Sequence, residues 1–366
     1  MRITIVAALV IVLAACAGPP TTSIAGTPQA GGPAIVRAHA LKLKVFTAGQ
    51  TQGFPANAGA NDLAAATDGS IWFTDPATPA IGRIATDGTV TEFSAGLPPG
   101  SLPYSIVAAP EGNMWFSDYR GVALGEVTPQ GSITEFDASQ YTDSSAMGIA
   151  LAGSNEPYIV GFGSQPLLAH LTSQGTITAQ LLAPGLTPVG ALAADAQGDL
   201  FFVVSDAKTQ GELFEQRANH QNFTRTPLHM KMERVPCCPN VAPKSLAVGS
   251  DGDPWFTTLG FGYRDSPAQF LVTVKNGKAH RIRIHHKGLS EVAIPSGIAA
   301  AHDGFWIAGG DPFQDNGALW HVAANGKQSA YDLPYDPLGL AVDAAGNPWF
   351  TASFSGAPAR IVEVLR

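Results

Sequence analysis

The chain repeats a pattern of aromatic residues, acids and glycine turns at a nearly constant interval. GSIWFTDPATPAIGRIATDGTVTEF, residues 69–93, returns as GNMWFSDYRGVALGEVTPQGSITEF, residues 112–136. The aromatic residue near the start of this unit occurs seven times, with spacings of 43, 43, 43, 54, 51 and 43 residues, at Trp72, Trp115, Tyr158, Phe201, Trp255, Trp306 and Trp349. Repeats of about 40–50 residues are typical of β-propeller blades. The interval therefore predicts seven blades.

Each repeat contains four short runs of alternating apolar residues with glycine at the turns, which is the pattern of four antiparallel strands, here called A to D. The last repeat ends after RIVEVL, its third run, so its fourth strand is missing. LKLKVF, residues 41–46, has the right alternation and precedes the first repeat. We expect it to complete the last blade and close the ring, which removes exposed sheet edges. The prediction is an all-β, seven-bladed β-propeller closed by an N-terminal strand.

The N-terminal residues differ from the repeats in composition. An apolar run extends from Ile3 to Ala15. A membrane-spanning helix needs about 20 residues, so this run is too short to span a bilayer and is typical of an export signal. LAAC, residues 13–16, resembles the lipobox of bacterial lipoproteins, which implies cleavage before Cys16 and lipid on its sulfur; an ordinary secretory signal is the alternative. Small residues, Pro and Gly dominate residues 17–40 and predict a flexible tether.

The sequence thus predicts a signal peptide at 1–15, a lipidated tether at 16–40 and a propeller at 41–366. We expect the protein to be exported and anchored by lipid to a bacterial membrane, at the outer membrane if the host has two. A net charge of −8 with only 14% charged residues argues against a nucleic-acid partner. The expected partners are the membrane and an unidentified small ligand or envelope protein, and the expected state is a monomer.

Two adjacent cysteines, Cys237 and Cys238, lie in the sequence PCCP. An exported protein meets oxidising conditions, which favour a disulfide between them. Neighbouring Cα atoms are only about 3.8 Å apart, so such a bond would be strained. Two free thiols are the alternative.

The longest insertions all fall on one face of the predicted ring, which the B–C loops and the D–A links between blades share. They occupy residues 227–243, 258–269 and 309–317. Variable loops on a rigid scaffold commonly carry binding residues, although neutral variation in length is the alternative. We predict that this loop face binds a ligand or partner through Tyr104, Lys244, Thr258, Tyr263, Arg264, Asp311 and Phe313.

Oxygen-bearing side chains cluster in the first two repeats, where strand A starts and strand B ends. These positions are expected to face the central channel. A set of carboxylate and amide oxygens suits Mg²⁺ or Ca²⁺, and the candidate ligands are Asn61, Asp62, Asp75 and Asp118. The alternative is that Asp75 and Asp118 accept backbone N–H bonds within their loops.

The unit G-x-[IM]-W-F-[ST]-D … G-x-[IV] … G-[ST]-[IV]-T-E-F resembles the repeat of the virginiamycin B lyase (streptogramin lyase) family. The resemblance is close in the first two repeats and looser in the other five. It implies a seven-bladed propeller and, as in characterised members, eliminative cleavage of the ester of streptogramin B antibiotics with Mg²⁺. It also implies histidines at the start of strand A in neighbouring blades and a glutamate at the end of a strand B.

This chain departs from that pattern at both sets of positions. The strand-A starts are Asn61, Tyr104, Met147, Val189, Lys244, Ser296 and Leu338. The strand-B ends are Asp75, Asp118, Gly161, Val204, Thr258, Gly309 and Ala352. His229 is the only histidine expected to reach the loop face. Without a positioned base, proton abstraction loses a factor of about 10²–10⁴.

Three hypotheses follow. The first, which the missing histidines favour, is an envelope-anchored propeller that binds a ligand or partner without catalysis. The second is a metal-dependent virginiamycin B lyase-type carbon–oxygen lyase that uses the channel, with Asp75 and Asp118 holding the metal. The third is a structural component of the envelope without a small ligand.

Overall fold

The computed structural model describes residues 31–38, 41–120, 123–141, 145–153, 155–162, 166–183, 186–205, 210–218, 220–231, 245–262, 265–284, 294–310 and 315–365. In these ranges the chain forms 29 β-strands and one short 3-10 helix, Ser139–Tyr141. No helix in them is long and apolar enough to cross a membrane. The predicted all-β class is confirmed.

The strands form seven antiparallel sheets, one for each predicted repeat, with strands A to D running outward from the channel. Blade 1 consists of β3 (Leu63–Ala65), β4 (Ile71–Asp75), β5 (Ala80–Ile84) and β6 (Val90–Phe93). Blade 2 consists of β7 (Pro103–Ala108), β8 (Met114–Asp118), β9 (Ala123–Val127) and β10 (Ile133–Asp137). Blade 3 consists of β11 (Ser145–Ala152), β12 (Glu156–Phe162), β13 (Leu167–Leu171) and β14 (Ile177–Leu181).

The remaining blades follow the same order. Blade 4 consists of β15 (Thr187–Ala194), β16 (Leu200–Ser205), β17 (Gln210–Gln216) and β18 (Phe223–Lys231). Blade 5 consists of β19 (Leu246–Val248), β20 (Pro254–Gly262), β21 (Asp265–Lys275) and β22 (Lys278–Ile284). Blade 6 consists of β23 (Ile294–Ala301), β24 (Gly304–Gly310), β25 (Gly317–Ala323) and β26 (Gln328–Leu333). Blade 7 combines β27 (Pro337–Val342), β28 (Pro348–Ala352) and β29 (Arg360–Leu365) with β2 (Leu41–Thr47) and β1 (Ala34–Ala38).

The N-terminal strand β2 closes the ring. It pairs antiparallel with β29, so that Val45 lies opposite Val362. The hydroxyl of Thr351 in blade 7 then donates to the carbonyl oxygen of Asn61 in blade 1 at 2.6 Å. The prediction that residues 41–46 complete the last blade is confirmed.

Strand β1 is a finding that the sequence analysis did not anticipate. Residues 34–38 were expected to belong to a flexible tether, yet they pair antiparallel with β2, with Val36 opposite Leu43. The N–H of Gly31 also donates to the carbonyl oxygen of Gln50 at 2.9 Å. Pairing satisfies backbone groups of β2 that would otherwise form an open sheet edge. Residues 31–38 therefore belong to the folded body, and the tether prediction is wrong for them.

Aromatic side chains fill the space between neighbouring blades. Phe46 and Trp349 of blade 7 belong to the same buried cluster as Phe73 of blade 1. The ring of Phe73 lies over Gly82 on the adjacent strand, where an added Cβ would stand 1.9 Å from the ring. This close approach explains the glycine in the third run of the repeat, and Gly125 has the same role beneath Phe116.

Candidate functional site

Two tyrosine rings lie on the loop face of blade 2, where its innermost strand begins and the next strand ends, a position that we call the channel mouth. Tyr104 is the second residue of β7, and Tyr119 directly follows β8. Their ring centroids are 5.5 Å apart, and both residues are half-buried. The N–H of Tyr119 donates to the carbonyl oxygen of Leu102 at 3.0 Å, which ties the two segments together.

Asn61 and Asp62 lie next to this pair, immediately before β3. The Asn61 side-chain amide donates to the Tyr104 carbonyl oxygen at 2.9 Å. The Asp62 carboxylate accepts the N–H of Leu63 in its own blade at 2.9 Å and that of Ile106 in blade 2 at 3.2 Å. Both side chains therefore bridge blades 1 and 2 at the mouth.

Burial determines the electrostatics of this group. It raises the pKa of Asp62 to about 6, against the lowering effect of the N–H groups of Ile106 and Leu63. Burial first, and then the charges of Asp62 and Tyr119, raise the pKa of Tyr104 to about 12. Near neutral pH the mouth thus presents a carboxylate beside a neutral phenol. Aromatic faces with a few polar groups are typical of sites that bind small molecules.

Asp75 does not point into the channel as expected. Its carboxylate accepts three backbone N–H bonds, from Gly59 at 2.9 Å, Ala77 at 2.8 Å and Thr78 at 3.0 Å, and the Thr78 hydroxyl at 2.6 Å. It is fully buried on the face of blade 1 that packs against blade 7. The reason is geometric: in a radial sheet, side chains alternate between the two neighbouring blades, not along the radius.

Asp118 has the corresponding position in blade 2. Its carboxylate accepts the N–H of Leu102 at 3.1 Å and that of Arg120 at 2.8 Å, and it also accepts the Ser101 hydroxyl. The side chain is buried. The alternative interpretation, that Asp75 and Asp118 receive backbone N–H bonds in their loops, is therefore the one that the structure supports.

Sequence reasoning missed a glutamate beside each of these aspartates. Glu92 lies near Asp75 and Glu135 near Asp118, both on the outer strands of their blades. Burial first, and the neighbouring aspartate second, raise the pKa of each glutamate to about 7. The sequence did indicate these pairs, because each glutamate lies in the repeated T-E-F, 17 residues after its aspartate.

The four predicted metal ligands are not brought together. No group of three or more His, Cys, Asp or Glu side chains among the described residues has a geometry that could hold a metal ion. The oxygens of Asp75 and Asp118 are occupied by N–H and hydroxyl donors, and Asp62 is turned toward backbone N–H groups. These residues do not fit a resident Mg²⁺ or Ca²⁺.

Several predicted residues lie outside the described part of the chain, and their predicted roles stay predictions. They are Cys16, Cys237, Cys238, Lys244, Tyr263, Arg264, Asp311 and Phe313. Thr258 is described only by its backbone, which pairs with Phe270 in blade 5. Of the predicted ligand-binding face, the structure thus describes the side chain of Tyr104.

Comparison with known proteins gives a family assignment. The sequence model of the virginiamycin B lyase family matches residues 36–230, from β1 to β18. The chain belongs to this family. No curated protein sequence is significantly similar to it.

Solved structures of two streptogramin lyases and of one other enzyme share this fold. A streptogramin B lyase structure is 18% identical, with a TM-score of 0.68 over 88% of this chain and 97% of that one. A catalytically inactive virginiamycin B lyase from Staphylococcus aureus with quinupristin is 16% identical, with a TM-score of 0.67 over 89% of this chain and all of that one. Hydrazine synthase from Kuenenia stuttgartiensis, at 12% identity, reaches 0.64 over 84% of this chain and 95% of that one. Such likenesses establish the fold, which by itself does not specify a reaction.

Proposed function

We propose that this family member is a ligand-binding propeller of the bacterial cell envelope, anchored by lipid on Cys16, that holds its ligand or partner at the loop face without cleaving it. The observation that carries the proposal is the tyrosine pair at the channel mouth, Tyr104 and Tyr119, beside Asp62. Their rings offer flat apolar surface, and the carboxylate offers an acceptor for a donor group on the ligand.

The second candidate is carbon–oxygen lyase activity of the virginiamycin B lyase type, which family membership favours. Against it stand the residues at the strand-A starts and strand-B ends, where this chain has no histidine and no glutamate. The two aspartates at strand-B ends, Asp75 and Asp118, already accept backbone N–H bonds. Among the described residues at these positions, none is a histidine or a glutamate that could act as the base.

Quinupristin, which is bound in the Staphylococcus aureus structure, is a suitable probe of both candidates. Purified protein is incubated with quinupristin and Mg²⁺, and mass spectrometry is used to look for the linear product. We expect the antibiotic to remain intact. Turnover near or above about one per second, in the ordinary range of enzymes, would establish the lyase and overturn the binding proposal.

Binding is measured by the shift in Tm at saturating quinupristin. We expect a ligand at about 100 times its Kd to stabilise the wild type by about 2.7 kcal/mol. The variant Tyr104→Ala with Tyr119→Ala should lose this shift. Leu181→Ala, which removes a side chain with 55% exposure on an outer strand, is the matched control and should retain it. A shift that survives in the tyrosine variant would contradict the proposed site.

A further inference from the structure

Blades 1 and 2 each bury an aspartate beside a glutamate. In blade 1, Phe73 lies opposite Gly82 and Gly82 lies opposite Glu92, so these positions share one face of the sheet with Asp75. Asp118 and Glu135 repeat this arrangement 43 residues later. Blade 7 has Ala352 and Val45 at the equivalent positions, so a blade can be built without the acids.

In each acid pair, both carboxyl groups share one hydroxyl group as a hydrogen-bond partner. The Thr78 hydroxyl oxygen lies 2.6 Å from Asp75 Oδ2 and 3.5 Å from Glu92 Oε2. In blade 2 the Ser101 hydroxyl binds Asp118 Oδ2 and lies 3.4 Å from Glu135 Oε1. A hydroxyl carries a single proton, so it cannot satisfy both carboxylates fully.

The remaining oxygen of Glu92 shows the consequence. Glu92 Oε1 is buried and has no hydrogen-bond partner. A buried ionised oxygen without a donor is costly, whereas a protonated carboxyl group can itself donate to a neighbouring acceptor. One additional proton on the pair in blade 1 would therefore resolve a shortage of donors at Glu92.

The charged groups on the surrounding elements do not neutralise the pair in blade 1. From blade 7, Lys44 and Glu363 face blade 1, and they bind each other at 3.4 Å. Arg83 on the neighbouring strand of blade 1 points to the opposite face, where it binds Asp68 at 2.8 Å. Asp75 remains as the charge acting on Glu92.

Described charged groups near the pair in blade 2 also lie on another face of the sheet, bind one another or are exposed. Glu126 on the neighbouring strand lies opposite Trp115 and accepts the Asn113 amide at 2.6 Å on the other face of the sheet. Arg83 and Asp68 of blade 1, which bind each other, face blade 2 near Pro129. Arg120 is exposed. The charge that acts on Glu135 is Asp118.

Each aspartate holds the link that leads into its blade. Asp75 accepts the N–H of Gly59, two residues before Asn61. Asp118 accepts the N–H of Leu102, two residues before Tyr104. The next residues along the chain are those that form the channel mouth. These hydrogen bonds thus connect each acid pair to the backbone that positions the mouth.

We propose that the two acid pairs are proton-controlled latches, which hold the links into blades 1 and 2 in place when each pair retains a proton and loosen them when both carboxyl groups are ionised. This inference does not depend on which ligand the mouth binds. It predicts that the backbone around Gly59 and Leu102 is better protected at mildly acidic pH than at mildly alkaline pH.

The direction of the pH effect follows from the glutamates. Their folded-state pKa of about 7 lies above the ordinary value of 4.5. The folded state therefore binds this proton more tightly than the unfolded state, and the stabilisation is complete below pH 4.5. It is lost as the pH rises to about 7, so the Tm should fall across that window.

Thermal unfolding of the full chain from pH 4.5 to 8 tests the latches. We expect the Tm of Glu92→Gln and of Glu135→Gln to fall less over this range than that of the wild type, by about 3 °C for each variant. A glutamine amide carries N–H donors at every pH, whereas the glutamate carries a donor only when it is protonated. Glu111→Gln, an exposed substitution with the same change of charge, should follow the wild type. Identical pH profiles for all four proteins would overturn the proposal.

Hydrogen exchange of the wild type provides a second measurement if a variant fails to fold. The protection factor of a peptide covering residues 98–104 is compared at pH 6 and pH 8. We expect protection at Leu102 to fall about tenfold. Gly112, whose N–H donates to the Ala109 carbonyl oxygen in a turn on the opposite face, should be unchanged. Equal protection of Leu102 at both pH values would contradict the latch.

Discussion

Hydroxyl side chains link consecutive blades at the residue scale. The Thr74 hydroxyl oxygen accepts the N–H of Asp62 at 3.1 Å and donates to the carbonyl oxygen of Tyr104 in blade 2 at 2.8 Å. Ser117 makes the same pair of bonds toward blade 3, and Thr351 makes them from blade 7 toward blade 1. One buried oxygen thus joins the strands of its own blade and the next blade.

We expect Thr74→Val to lower the free energy of unfolding by about 1–3 kcal/mol, because the isosteric side chain leaves the buried N–H of Asp62 without an acceptor. Urea denaturation measures the loss. Thr91→Val, an exposed substitution on β6, is the matched control and should change the free energy by less than about 0.5 kcal/mol. Equal losses in the two variants would show that the hydroxyl bridge does not contribute.

Hydrogen bonding at the residue scale also explains why the acidic residues of the repeat do not form a metal site. Each aspartate ends a strand next to a link with free N–H groups, which are strong obligatory donors. Capture of these donors uses the lone pairs that a metal would need.

At the scale of elements, the two N-terminal strands contribute very differently to the stability of the closed ring. Strand β2 is hydrogen-bonded on both sides, to β1 and to β29. It buries Leu43, Val45 and Phe46 almost completely. Strand β1 pairs only with β2, and its Ile35 is 54% exposed.

We expect a chain that starts at residue 40 to stay folded with a modest loss of Tm, and a chain that starts at residue 48 to lose most of its stability. Burial of three large apolar side chains contributes roughly 5–9 kcal/mol, which is comparable with the total stability of many domains. Loss of β2 also opens the ring at β29. Thermal denaturation of the two truncated proteins distinguishes them, and equal Tm values would show that β2 does not hold the ring closed.

On the scale of the whole molecule, the proposed anchor and the folded body are close together. Residues 17–30 separate Cys16 from Gly31, the first described residue. The fifteen steps from one Cα atom to the next between them span at most about 50 Å when fully extended. A lipid on Cys16 would therefore keep the propeller within about one protein diameter of the membrane surface.

We expect Cys16→Ser to move the protein from the membrane fraction to the soluble fraction, because multiple acyl chains are needed for stable anchoring. Fractionation followed by immunoblotting measures the distribution. The matched control, Cys237→Ser with Cys238→Ser, removes the other two cysteines of the chain and should leave the protein in the membrane fraction. Retention of Cys16→Ser in that fraction would show that lipid on this residue is not the anchor.

Blade number, strand order and ring closure were predictable because a blade is local. In six blades the four strands are consecutive in sequence, so the interval between Trp72, Trp115 and the later aromatic residues counts blades directly. Ring closure was predictable because the last repeat lacks a fourth strand and an additional strand precedes the first repeat. These features depend on patterns that repeat within about 50 residues.

What the sequence alone determined is therefore the ring, with its seven blades and the N-terminal strand that closes it. The tertiary structure alone decided which partner each acid meets. Asp62 binds the N–H of Ile106, 44 residues away, and Glu92 reaches Asp75 only through the register of three strands. The physical reason is that strand alternation gives two possible faces for a side chain, while hydrogen-bond donors and burial on each face depend on the neighbouring blade.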